Sequence, residues 1–326
     1  IAGMALANPQ SNPSLLIALA FLVAFLSASQ DIAVDAYRTD ILTPCERGIG
    51  TTLYTWGYRV AMLVSGALAL ALAEYIGWRA TYLIMASFIG IGLFGSWFGE
   101  EPANEQEKHP PTTLHAAIVE PFKEFLSRKS AWLILLFILL YKFGDALSIS
   151  LTTPFLIRGL DFSLSTVAVV NKGVGFFATL LGLFIGGVLM ARISLFRALL
   201  YVGILQAVAI LTLLQLALAG HNYHWLVFAI SVDSFCNAMA SIAFIAFIMS
   251  LCDHRYTATQ FALFSALASV GRVFVGPIAG LIVTYFSWPV FFLLSLMACL
   301  PGLGLLWYLR GDLNNHHATS SIEGVT

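Results

Sequence analysis

The chain has 326 residues, 59% of them hydrophobic and 10% charged, with a mean hydropathy of +0.87 and a formal net charge of -1. That balance excludes a soluble globular domain, and the near-zero charge gives nucleic acid nothing to bind. What remains is an all-α integral membrane protein.

Ile1 stands where an initiator Met is expected, and Ile1 to Leu6 reads as the tail of an earlier apolar segment. The sequence is therefore expected to be an N-terminally incomplete copy of a longer protein. Nine apolar stretches follow, at 14–41, 50–73, 79–98, 131–157, 165–190, 196–219, 224–251, 257–285 and 288–309. Each is long enough for about 30 Å of hydrocarbon, which takes about 20 residues. The long polar segment from Glu100 to Ser130 separates the third from the fourth. It holds an acidic, proline-rich run and then an amphipathic stretch (Ile118, Phe122, Phe125, Leu126) interleaved with Lys123, Arg128 and Lys129.

Lys and Arg set the orientation. Alternate loops and the tail hold ten: Arg38, Arg47, Lys108, Lys123, Arg128, Lys129, Arg192, Arg197, Arg255 and Arg310. The opposite side holds two, Arg79 and Arg158. The long loop and the C-terminus are thus expected in the cytoplasm.

The sequence also echoes itself. Tyr75-Ile-Gly-Trp78-Arg-Ala-Thr-Tyr82-Leu83 recurs as Tyr285-Phe-Ser-Trp288-Pro-Val-Phe-Phe292-Leu293, each at an outer turn. Arg59-Val60 and Arg272-Val273 lie at similar depths in the preceding spans, and Cys45-Glu46 and Cys252-Asp253 open those spans. Echoes in one order point to two parallel halves, as in major facilitator transporters. The expected organisation is 1–98 as the remainder of an N-terminal helix bundle (about spans 4–6 of a 6+6 fold) and 99–130 as a cytoplasmic inter-bundle loop. Residues 131–310 form the C-terminal six-helix bundle and 311–326 a cytoplasmic tail. About three helices of such a fold precede this sequence. Gly271-Arg-Val-Phe-Val-Gly276-Pro277-Ile-Ala-Gly280 resembles the Gly-Pro-Gly pattern of the superfamily's eleventh helix, its small residues allowing close helix approach. Gly182 to Gly187, running into Arg192 and Arg197, resembles a decayed form of its cytoplasmic loop motif.

Eight charged residues fall inside the spans: Asp31, Asp35, Arg59, Lys142, Asp145, Lys172, Asp233 and Arg272. Facing lipid they would cost about 24 kcal/mol together, at roughly 3 kcal/mol each, so they must face a polar cavity or one another. Asp31, Asp35 and Arg38 share one helical face. Pairing of Asp35 with Arg38 leaves Asp31 beside a like charge, and low dielectric and like charge both favour a neutral carboxyl group. Asp31, with Asp35, is the proton-coupling candidate. Lys142 and Asp145, three residues apart, can satisfy each other, as a static pair or as a gate. Arg59 and Arg272 are candidates for an anionic substrate group. Lys172, beside Asn171, and Asp233, one turn before Asn237, are candidate cavity lining. Tyr54, Trp56, Tyr58 and Tyr141 lie near these charges; aromatic faces beside polar groups suit sugar rings, but an aromatic in a membrane helix is usually packing.

Four scattered cysteines (Cys45, Cys236, Cys252, Cys299) have no metal or disulfide spacing. Catalytic signatures such as His-Glu-x-x-His, Gly-x-Ser-x-Gly or a phosphate loop are absent from the sequence. A transporter is expected, not an enzyme, and the scattered charges do not make a channel's ring. No metal or cofactor is expected; the partners are membrane lipid, protons and a small-molecule substrate, and the state a monomer.

Ser29-Gln30-Asp31-Ile32-Ala33-Val34-Asp35-Ala36-Tyr37-Arg38-Thr39-Asp40 resembles the fourth-helix motif of AmpG-type muropeptide permeases. So do Tyr54-Thr-Trp56-Gly57-Tyr58-Arg59-Val-Ala61-Met62 and Gly77-Trp78-Arg79. The resemblance is strong over the first hundred or so residues and fainter through the second half. It implies a proton-driven importer of the bacterial inner membrane. The implied cargo is N-acetylglucosaminyl-1,6-anhydro-N-acetylmuramic acid, with or without its peptide, serving peptidoglycan recycling and β-lactamase induction. Ala28, Gln30 and Asp31 are the functional residues it implies, and Tyr37 and Trp56 join the substrate-binding candidates. Acetyl-CoA transporters share a version of the fourth-helix motif, so that carrier, or another organic-anion or drug transporter, is the alternative.

Overall fold

The computed structural model describes residues 1–6, 12–100, 114–128, 130–253 and 255–311. The acidic run from Glu101 and the tail beyond Gly311, both expected in the cytoplasm, lie outside the described residues, as do the charges of Lys108 and Lys129. Among the described residues all regular structure is helical.

Eight helical segments among the described residues are long and apolar enough to cross a membrane, against nine stretches expected. The difference lies at the expected spans 50–73 and 79–98. There the chain forms α2 (Arg47–Leu63), a π-helical turn (Val64–Leu68) and α3 (Ala69–Phe98) in succession. Helix α3 breaks at Gly77, with φ 80° and ψ 160°, a conformation that glycine alone enters freely. The expected turn at Gly77-Trp78 is therefore present, inside a nominally continuous helix.

The chain forms two compact units. The first comprises residues 1–41 and 53–109. It contains α1 (Pro13–Ile41), which carries the charged motif in its last turns, the later part of α2, and α3.

The second unit comprises residues 42–52 and 110–326. It holds α4 (Leu114–Leu126), α5 (Ala131–Tyr141), α6 (Phe143–Pro154), α7 (Leu164–Val169), α8 (Gly175–Arg192), α9 (Leu195–Ala219), α10 (Tyr223–Leu251), α11 (Thr257–Tyr285) and α12 (Trp288–Tyr308). Residues 42–52, expected with the N-terminal bundle, belong here because of their fit to α8. Gly48 lies against Gly187 and Met190 so closely that a Cβ would overlap them. The hydroxyl of Thr52 donates to the Leu183 carbonyl at 2.9 Å.

Helix α10 packs on α8 and α9, α12 on α9 and α6, and α11 on α6 and α5. Two apolar cores stack along the unit. One, around Phe137, Phe247, Phe264 and Leu306, fills the end where α10 and α12 terminate. The other, around Phe155, Leu216, Phe291 and Phe292, fills the opposite end. Helix reversals carry local caps: Ser163 Oγ accepts from the Thr166 N–H at 3.1 Å, and Asn222 Oδ1 from the Trp225 N–H at 3.2 Å.

The two Cys-acid echoes share a use. Glu46 accepts from the Thr43 hydroxyl at 2.7 Å and the Thr43 N–H at 3.2 Å. Asp253 accepts from the backbone and side chain of Arg255, at 2.9 Å from its N–H. Each acid tightens a turn between helices, and the Arg255 side chain holds the Asp253 carboxyl below its usual range. The small-residue expectation for α11 fares differently. Gly271 approaches Leu139 closely, but Gly276 and Gly280 face open space among the described residues. The close helix crossings fall elsewhere, at Gly144 on Ser295 and Cys299 and at Gly302 on Leu140 and Tyr141.

Candidate functional site

Between the two cores of the second unit lies a cavity of about 420 Å³, lined by residues of α5, α6, α10 and α11. Its volume is within the range of small-molecule sites. Lys142, Asp145 and Arg272 line it, three of the candidates singled out by charge. The helix break between α5 and α6 falls at Lys142, with φ -96° and ψ 0°. This lets the chain bend where it carries a cation into the bundle.

Asp145 is the polar centre of the cavity wall and is only 6% exposed. Its Oδ2 lies 3.3 Å from the Lys142 ammonium. The Asn237 amide donates to both of its oxygens, each at 2.9 Å. The carboxylate is thus neutralised by one cation and held by one amide. Arg272 also lines the cavity and bonds only weakly to Ser269 Oγ, at 3.4 Å. With Lys142 and Asp145 compensating each other, the guanidinium leaves the cavity one positive charge in excess. Ser150, Ser241, Ser265 and Ser269 add hydroxyl groups. Such a lining suits a polar, hydroxyl-rich molecule bearing a carboxylate.

Asn237, Ser241 and the serines of α11 were missed as lining when single charges were weighed. The signal was present in spacing. Asn237 and Ser241 lie four residues apart on α10, and Ser265, Ser269 and Arg272 follow one face of α11. A polar stripe on an otherwise apolar crossing helix marks a cavity wall.

Other candidates fall elsewhere. Asp233 is half-buried on α10 and Lys172 is exposed in the π-helical turn Val170–Val174; neither belongs to the lining of this cavity. Tyr141 is a core residue: it is 6% exposed, stacks on Phe244 at 5.6 Å and donates its hydroxyl to the Leu199 carbonyl at 2.8 Å. Its sugar-facing reading gives way to packing.

In the first unit, Arg38 Nη2 meets Asp35 Oδ1 at 2.7 Å, as the spacing required. The Arg38 guanidinium also lies over the Tyr54 ring, 4.2 Å from its centroid. Ala28, Gln30 and Asp31 are exposed on α1, one to two turns before Asp35. Tyr37 donates to the Glu100 carbonyl at 2.9 Å, and Trp56 is exposed on α2. Arg59 is half-buried, its Nε hidden and without a partner among the described residues. No group of three or more His, Cys, Asp and Glu among the described residues is arranged to hold a metal ion.

An all-helical unit with a charged internal cavity has the form of a membrane transporter bundle, and the Major Facilitator Superfamily model matches residues 1–276. The chain belongs to the Major Facilitator Superfamily. Within it, the chain is 45% identical over 314 residues to the anhydromuropeptide permease of Escherichia coli K12, covering 96% of the chain and 64% of that protein. It is 33% identical to a Rickettsia conorii protein described as a candidate AmpG transporter, covering 94% of the chain and 75% of that protein. A second such protein, from Rickettsia bellii, is 30% identical over 94% of the chain and 76% of its own length. The chain thus spans a little under two thirds of the length of the E. coli permease.

Proposed function

We propose that the protein imports anhydro-muropeptides, the anhydro-disaccharide with or without its peptide, in symport with protons. The direction is from periplasm to cytoplasm across the bacterial inner membrane, with the C-terminus cytoplasmic and the monomer as the working unit. The observation that carries this reading is the 45% identity, sustained over 96% of the chain, to a protein named for that cargo. The cavity supports it independently. Amide and hydroxyl groups on its wall match sugar hydroxyls, and the excess cation at Arg272 matches a carboxylate. The same relatives favour this cargo over an acetyl-CoA-type or drug carrier.

In this reading Asp31 and Asp35 serve proton coupling, and Ala28, Gln30, Tyr37, Trp56 and Arg59 form the substrate path of the first unit. Lys142, Asp145 and Arg272 form that of the second, with Asp233 acting on the Lys142–Asp145 pair and Lys172 as a further candidate. Asp31 is favoured over Asp35 as the proton carrier because Asp35 is already paired with Arg38. The test is uptake of labelled anhydro-disaccharide against labelled acetyl-CoA into vesicles carrying the full-length protein, with and without a protonophore. Sugar uptake abolished by the protonophore is the expected result, and acetyl-CoA uptake without sugar uptake would overturn the assignment. Asp31→Asn is expected to abolish the proton-driven component at unchanged membrane abundance. Undiminished accumulation would remove Asp31 from the mechanism.

A further inference from the structure

Helix α4 lies outside the transport reading, yet it is fixed in place. Its Phe125 is buried and packs edge-on against Phe264 at 4.8 Å. Below it runs a polar latch. Arg128 grips Glu124 with Nε at 3.0 Å and Nη2 at 2.9 Å, and its Nη1 donates to the Leu251 carbonyl at 2.7 Å. That carbonyl belongs to the last residue of α10, so the guanidinium also caps a helix C-terminus. Gln260, fully buried on α11, donates to Glu124 Oε2 at 2.6 Å and to the Pro121 carbonyl at 3.2 Å. Its carbonyl oxygen accepts from the Asp253 N–H at 2.7 Å.

The latch sets both the level and the rotation of α4. Its anchor points are the end of α10, the start of α11 and, through the Ala131 N–H donating to the Arg128 carbonyl at 3.1 Å, the start of α5. All three are where crossing helices emerge from the apolar core. At 3.6 residues per turn, Ile118, Phe122 and Leu126 form a stripe about a quarter turn from the docked line of Pro121 and Phe125. All three are exposed, at 48%, 38% and 40%. Glu120, Lys123 and Ser127, also exposed, lie away from the stripe, Glu120 accepting from the Tyr256 hydroxyl at the start of α11 at 3.2 Å. Beyond α4, Trp132 and Leu136 on α5 are exposed as well, Trp in the position of an interfacial anchor. Because crossing helices alternate in direction, Arg192, Arg197 and Arg310 come to this same end of the unit, and each is exposed.

We infer that α4 is an interfacial helix: its Ile118–Phe122–Leu126 stripe inserts among the headgroups and upper acyl chains of the adjoining leaflet, with anionic phospholipid against the surrounding Lys and Arg. An apolar stripe at bilayer level with a polar stripe opposite is the arrangement that places a helix in the interface plane, and clustered cations add attraction to anionic lipid. The latch holds the rotation that aims the stripe at lipid.

The test uses the full-length protein with its native cysteines replaced and a single cysteine at 118, 122, 126, 120, 123 or 127, each carrying an environment-sensitive fluorophore. The protein is placed in nanodiscs of phosphatidylethanolamine and phosphatidylglycerol. Emission at 118, 122 and 126 is expected to be blue-shifted and quenched by spin-labelled lipid. Emission at 120, 123 and 127 is expected to be red-shifted and quenched by aqueous iodide. A blue-shifted stripe untouched by spin-labelled lipid would mean that protein covers it, and iodide quenching at all six positions would mean that water does; either result overturns the inference. Replacing phosphatidylglycerol by phosphatidylcholine is expected to shift the stripe toward water. No shift would remove the anionic-lipid part.

Discussion

The strongest energetic consequence of the structure lies in the Lys142–Asp145 pair. At 3.3 Å, two unit charges attract by ~5 kcal/mol at an effective dielectric of about 20, a gross figure offset in large part by the dehydration of both groups. Asp145→Ala leaves the ammonium in the cavity wall without its ion-pair partner, only the more distant Asp233 carboxyl acting on it, and frees the Asn237 amide. A buried pair broken in this way loses about 3–5 kcal/mol. Lys142 is 19% exposed in its side chain and can turn toward cavity water, so the lower end, about 3 kcal/mol, is expected. Lys142→Ala leaves Asp145 its two bonds from Asn237 and is expected to lose about 2 kcal/mol, between a lost charged hydrogen bond and a stranded charge. The double variant strands neither charge and is expected to lose less than the two singles together, by about 2 kcal/mol of coupling. Thermal unfolding of the four full-length proteins in detergent would read this as a non-additivity of about 2–3 °C. Additive shifts, within about 0.5 kcal/mol, would refute the pair as an energetic unit and with it the neutralisation that leaves Arg272 as the cavity's excess charge.

Arg272→Ala is expected to raise the KM for carboxylate-bearing cargo while leaving protein abundance unchanged, measured as concentration-dependent uptake; an unchanged KM would place the guanidinium outside the path. Arg59→Ala is expected to weaken uptake of peptide-bearing cargo more than of peptide-free cargo, and equal losses would indicate a structural Arg59. Gln260→Ala removes two donated bonds and strands the Asp253 N–H, about 2–3 kcal/mol of local stability. Hydrogen exchange should speed up in α4 while the cores of α10 and α12 stay protected. Gly302→Leu is expected to destabilise the bundle by about 1–3 kcal/mol through overpacking against α5. Gly304→Ala, with open space around it, should be neutral or stabilising by up to about 1 kcal/mol, and thermal unfolding of both variants checks the contrast.

Much of the candidate site was legible because a charge in an apolar helix has so few permitted surroundings. Spacing alone paired Asp35 with Arg38 on one helix, and Lys142 with Asp145 from the residue that opens α6, both i, i+3 neighbours. Interactions within a helix follow from its fixed geometry. Asn237 on Asp145 was not legible in the same way, because 92 residues separate them and only the packing of α10 beside α6 brings them together. Tyr141 illustrates the converse. Lys142 follows it directly, but its ring turns inward onto Phe244 and its hydroxyl finds a backbone carbonyl on α9.

Taken alone, the sequence determined the class of the protein: apolar runs of crossing length dictate membrane helices, since backbone groups in hydrocarbon must bond internally. It also determined where charge had to be sheltered, and the likeness of its first hundred or so residues to muropeptide permeases. Only the tertiary structure decided which of those charges share a cavity, that residues 42–52 pack with the second unit, and that Gly144 and Gly302 rather than Gly276 and Gly280 make close helix crossings. It alone fixed the rotation of α4, burying Phe125 while leaving Ile118, Phe122 and Leu126 free. The reason is physical. Helix formation is a local matter of hydrogen bonds and apolar length, whereas the direction in which each helix face points is set by long-range packing that no single segment encodes.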